Sequence, residues 1–276
     1  MTDPDYVDLV RNARTFLFVP GNKPHRFATA AASGADVVIV DLEDAVDAAD
    51  KDAARASVSD WVRAGHRVLI RINAADTEWY GKDLEMVASA GGAGIVVPKS
   101  RDPAELARVR SFLPLDAAMV PLIETASGVA CASAISAVAG TTRTAFGSID
   151  LAAELSVAAD DRDAMAFARG MLVVAAAAAG LPGPVDGVTT AIRDADMIAS
   201  DVRYARRLGL TAKLCIHPAQ VPTVHSASGP STDEVDWAIE VLAATGVNGS
   251  AVAVGGHMVD APVVERAHQI LKSARR

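Results

Sequence analysis

The sequence predicts an α/β fold, a (β/α)8 TIM barrel with a C-terminal helical extension, and three observations predict it. Short runs rich in Val, Ile and Leu alternate with Ala-rich amphipathic stretches. Eight such units fit into roughly 220 residues, close to the usual barrel length of about 250. Several of the short runs are continuously apolar, as parallel strands are when both of their faces are covered. An open doubly wound sheet shares the alternation and is the competing architecture.

The candidate strands, in order, are 15–20, 37–41, 68–72, 94–98, 119–123, 144–147, 184–188 and 212–216. Each is a short β-branched or apolar run. Helical spacing of apolar residues places helices at 25–33, 48–64, 83–90, 103–112, 128–138, 162–179 and 195–208. The uncharged stretch 170–180 is about half a membrane span and reads as a buried helix. After the eighth strand a Gly/Pro/Ser-rich break at 226–233 precedes helices at 233–244 and 261–273 and a Gly-rich, strand-like 249–256. The expected division is therefore a barrel over 1–225 and an extension over 226–276. The extension is too short for a core of its own and is expected to pack on the barrel or on a neighbouring subunit.

Composition narrows the functional classes. Hydrophobic residues make up 51% and aromatics only 4%, so Ala, Val, Ile and Leu fill the interior and disorder is excluded. The net charge is −8 and the Lys and Arg residues are scattered, which removes the footprint of a nucleic-acid binder. Cys131 and Cys215 have no Cys or His partners at metal-ligand spacing and build no disulfide framework. With no signal peptide and no membrane span, the expected setting is cytoplasmic.

In such a barrel the chemistry stands at the C-terminal ends of the strands. Those ends read Pro20-Gly21-Asn22-Lys23, Asp41-Leu42-Glu43-Asp44, Arg71-Ile72-Asn73, Lys99, Glu124, Asp150 and His217, with Arg14 just ahead of the first strand. So many carboxylates at one mouth repel one another and call for a cation. Hard oxygen ligands suit Mg2+ or Mn2+, which needs only two protein carboxylates when substrate and water complete its shell. Glu124 and Asp150, on adjacent strands, are the natural pair, although either alone could equally be a helix N-cap. Lys99 invites comparison with Schiff-base lysines, against a plainer role in neutralising the acids. His217, before Pro218, reads as a structural hydrogen-bonder.

Arg14-Thr15-Phe16-Leu17-Phe18-Val19-Pro20-Gly21, Asp41-Leu42-Glu43-Asp44-Ala45-Val46 with Lys51 and Arg55, Arg71-Ile72-Asn73, Pro98-Lys99, Ile123-Glu124-Thr125, Phe146-Gly147-Ser148-Ile149-Asp150-Leu151 and Cys215-Ile216-His217-Pro218 stand in this order along the chain. Together they resemble the HpcH/HpaI aldolase–citrate lyase β-subunit family, and more closely its CitE-like stand-alone branch, over nearly the whole chain. The resemblance implies a Mg2+-dependent carbon–carbon lyase. It would cleave a 3-hydroxy-acyl-CoA such as citramalyl-, malyl- or citryl-CoA into an acyl-CoA and a keto acid, as a homotrimer or hexamer. It assigns the metal to Glu124 and Asp150 and substrate contacts to Arg71, Arg14, Glu124, Gly147 and Asp150. Asp41, Glu43, Asp44 and Lys99 stand behind them, with Glu43 ordering metal-bound water. Asp260, in Met258-Val259-Asp260-Ala261-Pro262, matches an aspartate that a neighbouring subunit can deliver, and it is the candidate acid or base. Arg71 supplies a fixed cationic donor, and the amides after Gly147 suit a carboxylate. Two alternatives stand beside this reading: a metal-dependent aldolase acting on a free hydroxy-keto diacid without CoA, and a β subunit that works only inside a citrate lyase complex.

Overall fold

The computed structural model describes residues 4–91, 94–115, 117–245, 252–254 and 257–274. Eight parallel strands, β1 (Thr15–Pro20), β2 (Val37–Asp41), β3 (Leu69–Arg71), β4 (Gly94–Val97), β5 (Met119–Ile123), β6 (Ala145–Phe146), β7 (Val185–Asp186) and β8 (Ala212–Cys215), close into a barrel in sequence order. β8 pairs back onto β1 through Thr15 and Lys213, so the open-sheet alternative is excluded. Several ladders stop a residue or two short of the predicted runs. At β4 the reason is chemical, since Pro98 has no N–H to donate.

Alternation along the strands sorts their side chains into two apolar layers. Phe16, Val37, Ile39, Leu69, Val96, Val120, Leu122, Ala145, Val185, Ala212 and Leu214 form the interior cluster. Leu17, Val19, Val38, Val40, Ile70, Ile95, Val97, Met119 and Ile123 belong to the cluster beneath the surrounding helices. The interior phase carried past Ile39 and Leu69 reaches Asp41 and Arg71, which face each other in register at the upper rim.

The opposite end is closed by a helix that hydrophobic spacing did not reveal, Pro4–Asn12, which sends Tyr6 and Val10 into the interior cluster. Arg143, fully buried at this end, donates to the carbonyls of Ala13 (2.7 Å) and Gly183 (2.8 Å) and to Thr211 Oγ1 (2.5 Å). Arg14 lies here too. Its backbone amide donates to Asp36 and its carbonyl accepts from the Lys213 amide, before β1 begins. Strands rise about 3.3 Å per residue, so Arg14 sits roughly 20 Å below the Pro20 rim. The expectation that it binds substrate is corrected accordingly.

The helices differ from expectation in identifiable ways. The predicted 25–33 is a 3-10 turn, Pro24–Arg26, followed by Phe27–Ala31. The predicted 128–138 breaks at Cys131 into Ala126–Ala130 and Ala132–Ser136. Ser148–Leu155 follows β6, and Val221–Ser228 completes the eighth unit and runs into the predicted break. The uncharged 170–180 stretch ends helix Arg162–Ala178, which is not buried all round: Phe167 is 75% and Val174 66% exposed. No helix among the described residues is long and apolar enough to cross a membrane.

The chain divides into two compact units, Met1–Ala227 and Ser228–Arg276. The second holds helices Thr232–Thr245 and Ala261–Ala274 and an antiparallel pair, β9 (Val252–Val254) with β10 (His257–Val259). Residues 249–251 and 255–256 of the predicted strand-like segment lie outside the described residues. Contrary to expectation, this unit has a small apolar cluster of its own, Ala238, Val241, Val259, Ala267 and Ile270.

One buried ionic group ties the barrel to its helices. Asp186 accepts from Arg169 Nε (2.8 Å) and from Lys213 Nζ (3.1 Å). Burial alone would raise its pKa, but the two cations hold it below the usual carboxylate range. Removing one member of a buried ionic group typically costs about 3–5 kcal/mol. Asp186→Ala, which strands both cations, is expected to lose that much stability in urea unfolding; a loss under about 1 kcal/mol would show the group to be dispensable.

Candidate active site

β2 and β3 bring the first part of the site together. Arg71 Nε and Nη2 donate to the two oxygens of Asp41 at 2.7 and 2.6 Å, and its guanidinium stands 4.9 Å from the centre of the Phe18 ring. Asp41 also accepts from the amides of Glu43 (2.9 Å) and Ala45 (3.1 Å), which coils the loop after β2 around its carboxylate. Arg71 Nη1 donates to Asp44 at 3.3 Å and lies 3.1 Å from Glu43 Oε2 without hydrogen-bond alignment. Burial alone would lower the Arg71 pKa, but the Asp41 hydrogen bonds and the surrounding acids raise it on balance, so this guanidinium stays charged. It is a clamp on acids more than the free substrate donor the sequence suggested.

Buried Lys51 fixes the same loop from beneath. Its ammonium donates to the carbonyls of Leu42 (2.6 Å) and Glu43 (2.8 Å) and lies 5.2 Å from the Trp79 ring centre. Arg55 and the Asn73 amide and side chain share Asp83, at 2.7, 2.9 and 2.6 Å, and so anchor the chain just past β3. Sequence reasoning noted Lys51 and Arg55 only as part of a motif. Their spacing, one helical turn apart after an acid-rich loop, was the available signal.

β4, β5 and β6 supply the second part. Glu124, buried at the end of β5, accepts from the Lys99 amide at 2.7 Å. Lys99 directs that amide inward by adopting a left-handed backbone, φ 49°, which a non-glycine residue rarely does. Gly147 leaves Glu124 its space, because a Cβ there would lie 2.3 Å from Glu124 Cβ and 2.5 Å from Oε2. Asp150 stands in the first turn of Ser148–Leu155. The helix-cap reading fails for both acids. Thr125 Oγ1 caps Ala126–Ala130 by accepting from the Gly128 amide at 3.0 Å, and Gly147 is the cap residue of Ser148–Leu155.

Asp41, Asp44, Arg71, Glu124, Gly147 and Asp150 line one cavity of about 410 Å3. Glu43 and Lys99 stand behind it, with Lys99 Nζ 3.6 Å from Glu43 Oε1. The acids outnumber the cations, and burial shows the consequence. Desolvation, reinforced by the Glu43 charge, raises the Glu124 pKa to about 8. Desolvation also raises Glu43 to about 7 against the pull of Arg71, and neither Glu43 oxygen has a hydrogen-bond partner. Burial works against the Lys99 charge, but Glu43 and the other acids raise its pKa overall, which keeps the amine protonated and argues against a Schiff base. Orphaned oxygens and raised acids mark a site short of positive charge, and its donor set is all oxygen. A hard divalent cation fits it. Among the described residues, no group of three or more His, Cys, Asp or Glu is arranged to hold a metal.

The remaining predicted residues lie elsewhere. His217 Nδ1 accepts from the Ala219 amide at 3.1 Å and caps the turn Pro218–Gln220. Asp260 is in the second unit, where its Oδ1 accepts from the Val263 amide at 3.3 Å at the start of Ala261–Ala274. Sequence reasoning missed the cavity's apolar wall of Phe18, Leu122, Phe146, Val188, Leu214 and Ile216. The interior phase of the strands carried one step further was the signal for Phe18, Leu122 and Leu214.

Comparison with known proteins agrees with this geometry. The family model described as HpcH/HpaI aldolase/citrate lyase matches residues 14–218. A citrate lyase subunit beta-like protein of Mycobacterium tuberculosis is 38% identical over 265 residues, 94% of each chain. A (3S)-malyl-CoA thioesterase of Cereibacter sphaeroides is 36% identical over 263 residues, 92% of this chain and 90% of that one. The crystal structure of CitE from M. tuberculosis in complex with magnesium, acetoacetate and coenzyme A matches with a TM-score of 0.86 at 35% identity, covering 96% of this chain and all of that one.

Two measurements test the site. Left-handed backbone costs a non-glycine residue about 1–2 kcal/mol, so Lys99→Gly is expected to hold or gain stability in urea unfolding and Lys99→Val, whose β-branched side chain tolerates this backbone less well than lysine, to lose it. Equal effects would remove the backbone argument. A carboxyl whose folded pKa is raised adds nothing unfavourable below its unfolded pKa; its penalty grows from there up to the folded value and is constant above it. In EDTA, thermal stability is therefore expected to fall from the ordinary carboxylate value of 4.5 up to about pH 8, the Glu124 value, and to level off above it. Glu124→Gln should flatten that fall, and an unaltered profile would contradict the assignment.

Proposed function

The chain belongs to the HpcH/HpaI aldolase/citrate lyase family, and from that premise we propose that it is a Mg2+-dependent carbon–carbon lyase of CoA thioesters. It cleaves a 3-hydroxy-acyl-CoA, of the citramalyl, malyl or citryl type, into an acyl-CoA and a keto acid. The observation that carries this reading is the oxygen-only, acid-rich mouth in which Glu124 and Glu43 are pushed up to about 8 and about 7. Such a mouth calls for a divalent cation.

Glu124 and Asp150 would hold the ion. When bound, Mg2+ supplies Lewis-acid polarisation of the substrate's hydroxy-acid oxygens. The chain's own groups do the rest. Asp41, clamped by Arg71, keeps the β2 loop folded over Lys51, so the acids do not drift apart. The Lys99 amide occupies Glu124 Oε1 and so directs the carboxylate's other oxygen to the ligand side. Free N–H groups in the first turn of Ser148–Leu155 suit the keto acid's carboxylate. Asp260, from the second unit of this or a neighbouring subunit, is the proposed acid–base group, taking the hydroxyl proton and returning one to the α-carbon of the departing acyl thioester. A homotrimer or hexamer in the cytoplasm belongs to the same proposal.

The purified chain is expected to convert a 3-hydroxy-acyl-CoA into acyl-CoA and keto acid with Mg2+, followed by mass spectrometry, and to stop with EDTA or Glu124→Ala. Free CoA with an intact hydroxy acid would indicate a thioesterase, turnover of the free acid an aldolase, and activity only with added subunits a complex-bound β chain. Asp260→Asn should lower kcat with little change in KM, and an unchanged kcat would remove Asp260 from the mechanism.

A further inference from the structure

The cavity has two unlike sides, and their difference bears on which thioester the proposed lyase takes; the inference rests on that lyase reading. One side carries Asp41, Asp44, Glu124 and Asp150 with Arg71. The other is made by Phe18, Leu122, Phe146, Val188, Leu214 and Ile216. Among the described residues lining the cavity, Arg71 is the sole cation, and its Nε, Nη1 and Nη2 are already engaged by Asp41, Glu43 and Asp44. A guanidinium has five N–H groups in a fixed fork, so little of it remains for a ligand.

We propose that the apolar wall is the specificity element. It selects thioesters whose hydroxyl-bearing carbon carries one carboxylate and one alkyl group. The first turn of Ser148–Leu155 and the cation at Glu124 and Asp150 take the single carboxylate. A second carboxylate, carried on the alkyl branch, would meet apolar side chains and four acids with Arg71 already committed, and an unpaired buried charge is strongly disfavoured. A hydrogen in place of the alkyl group would leave the wall against water.

The reaction balances without a further reactant. The bond between the hydroxyl-bearing carbon and the carbon α to the thioester breaks, and the hydroxyl oxygen becomes a ketone as its proton leaves. The electron pair goes to the α-carbon, which takes up one proton. The products are a 2-oxo acid bearing the alkyl group and the shortened acyl thioester. A buried methylene changes enzymatic selectivity by roughly 10- to 200-fold, and leaving a charge unpaired costs more.

The test runs the Mg2+-loaded protein in the condensing direction, with acetyl-CoA and glyoxylate, pyruvate, 2-oxobutanoate or oxaloacetate in turn, and quantifies the product thioester. Pyruvate or 2-oxobutanoate is expected to exceed glyoxylate and oxaloacetate in kcat/KM by at least about tenfold. Ile216→Arg, at a rim position 39% exposed, places a cation on the wall and should narrow the gap to oxaloacetate. That ratio is read within one protein, so a general loss of activity does not obscure it, and an unchanged ratio counts against the wall as the determinant. If the variant fails to fold, the wild-type panel decides alone. Equal or better use of glyoxylate or oxaloacetate overturns the specificity while leaving the lyase reading intact. No product from any of the four overturns the lyase reading and this inference with it.

Discussion

The molecule is organised around the repulsion among five carboxylates gathered at one rim. Asp41, Glu43, Asp44, Glu124 and Asp150 are brought there by two strand ends and one helix start, and two cations, Arg71 and Lys99, do not neutralise them. Much of the nearby architecture is restraint against that repulsion. Asp41 and Arg71 are cross-strand neighbours in register, so their pairing is set by the sheet itself. Lys51 grips the carbonyls of the loop that carries Glu43, and a strained amide at Lys99 grips Glu124. These fixtures hold the acids in place but leave the charge deficit for an ion to meet.

The two ends of the barrel meet opposite demands. At the closed end Arg143 is buried without a carboxylate and is satisfied by carbonyls and a hydroxyl, while Tyr6 and Val10 fill the bore. The guanidinium there is fully engaged and the bore is packed with apolar side chains. The open end keeps polar atoms unsatisfied, as the two Glu43 oxygens show. Stability and chemistry are thereby separated along the strands, as is usual for this architecture.

What could be read from the sequence follows from which physical signals are local. Short β-branched and apolar runs located all eight strands, and period-3.6 spacing located most helices, because burial leaves a local trace in composition and spacing. Pro4–Asn12 escaped notice because only Tyr6, Val7 and Val10 mark its apolar side amid two aspartates. Arg14 misled because adjacency to a motif was taken for adjacency to the site, although a strand's first residue and its last stand at opposite ends. Glu124 and Asp150 were legible from strand order and charge. The commitment of Arg71 to three acids was not, because register between strands 30 residues apart leaves no mark in either one. The backbone of Lys99 was equally hidden, since lysine is not a residue that announces φ > 0.

That backbone has a consequence for how the gene can drift. Codons for lysine lie a single base from those for asparagine, which tolerates a left-handed backbone better than most residues. Isoleucine and threonine are also one base away, but their β-branched side chains would suffer at φ 49°. The position thus has an inexpensive mutational exit toward asparagine, and in that exit the charge beside Glu43 is lost while the amide on Glu124 is kept. Descendants of this sequence are therefore freer to vary the ammonium at this place than the shape of the chain that carries it.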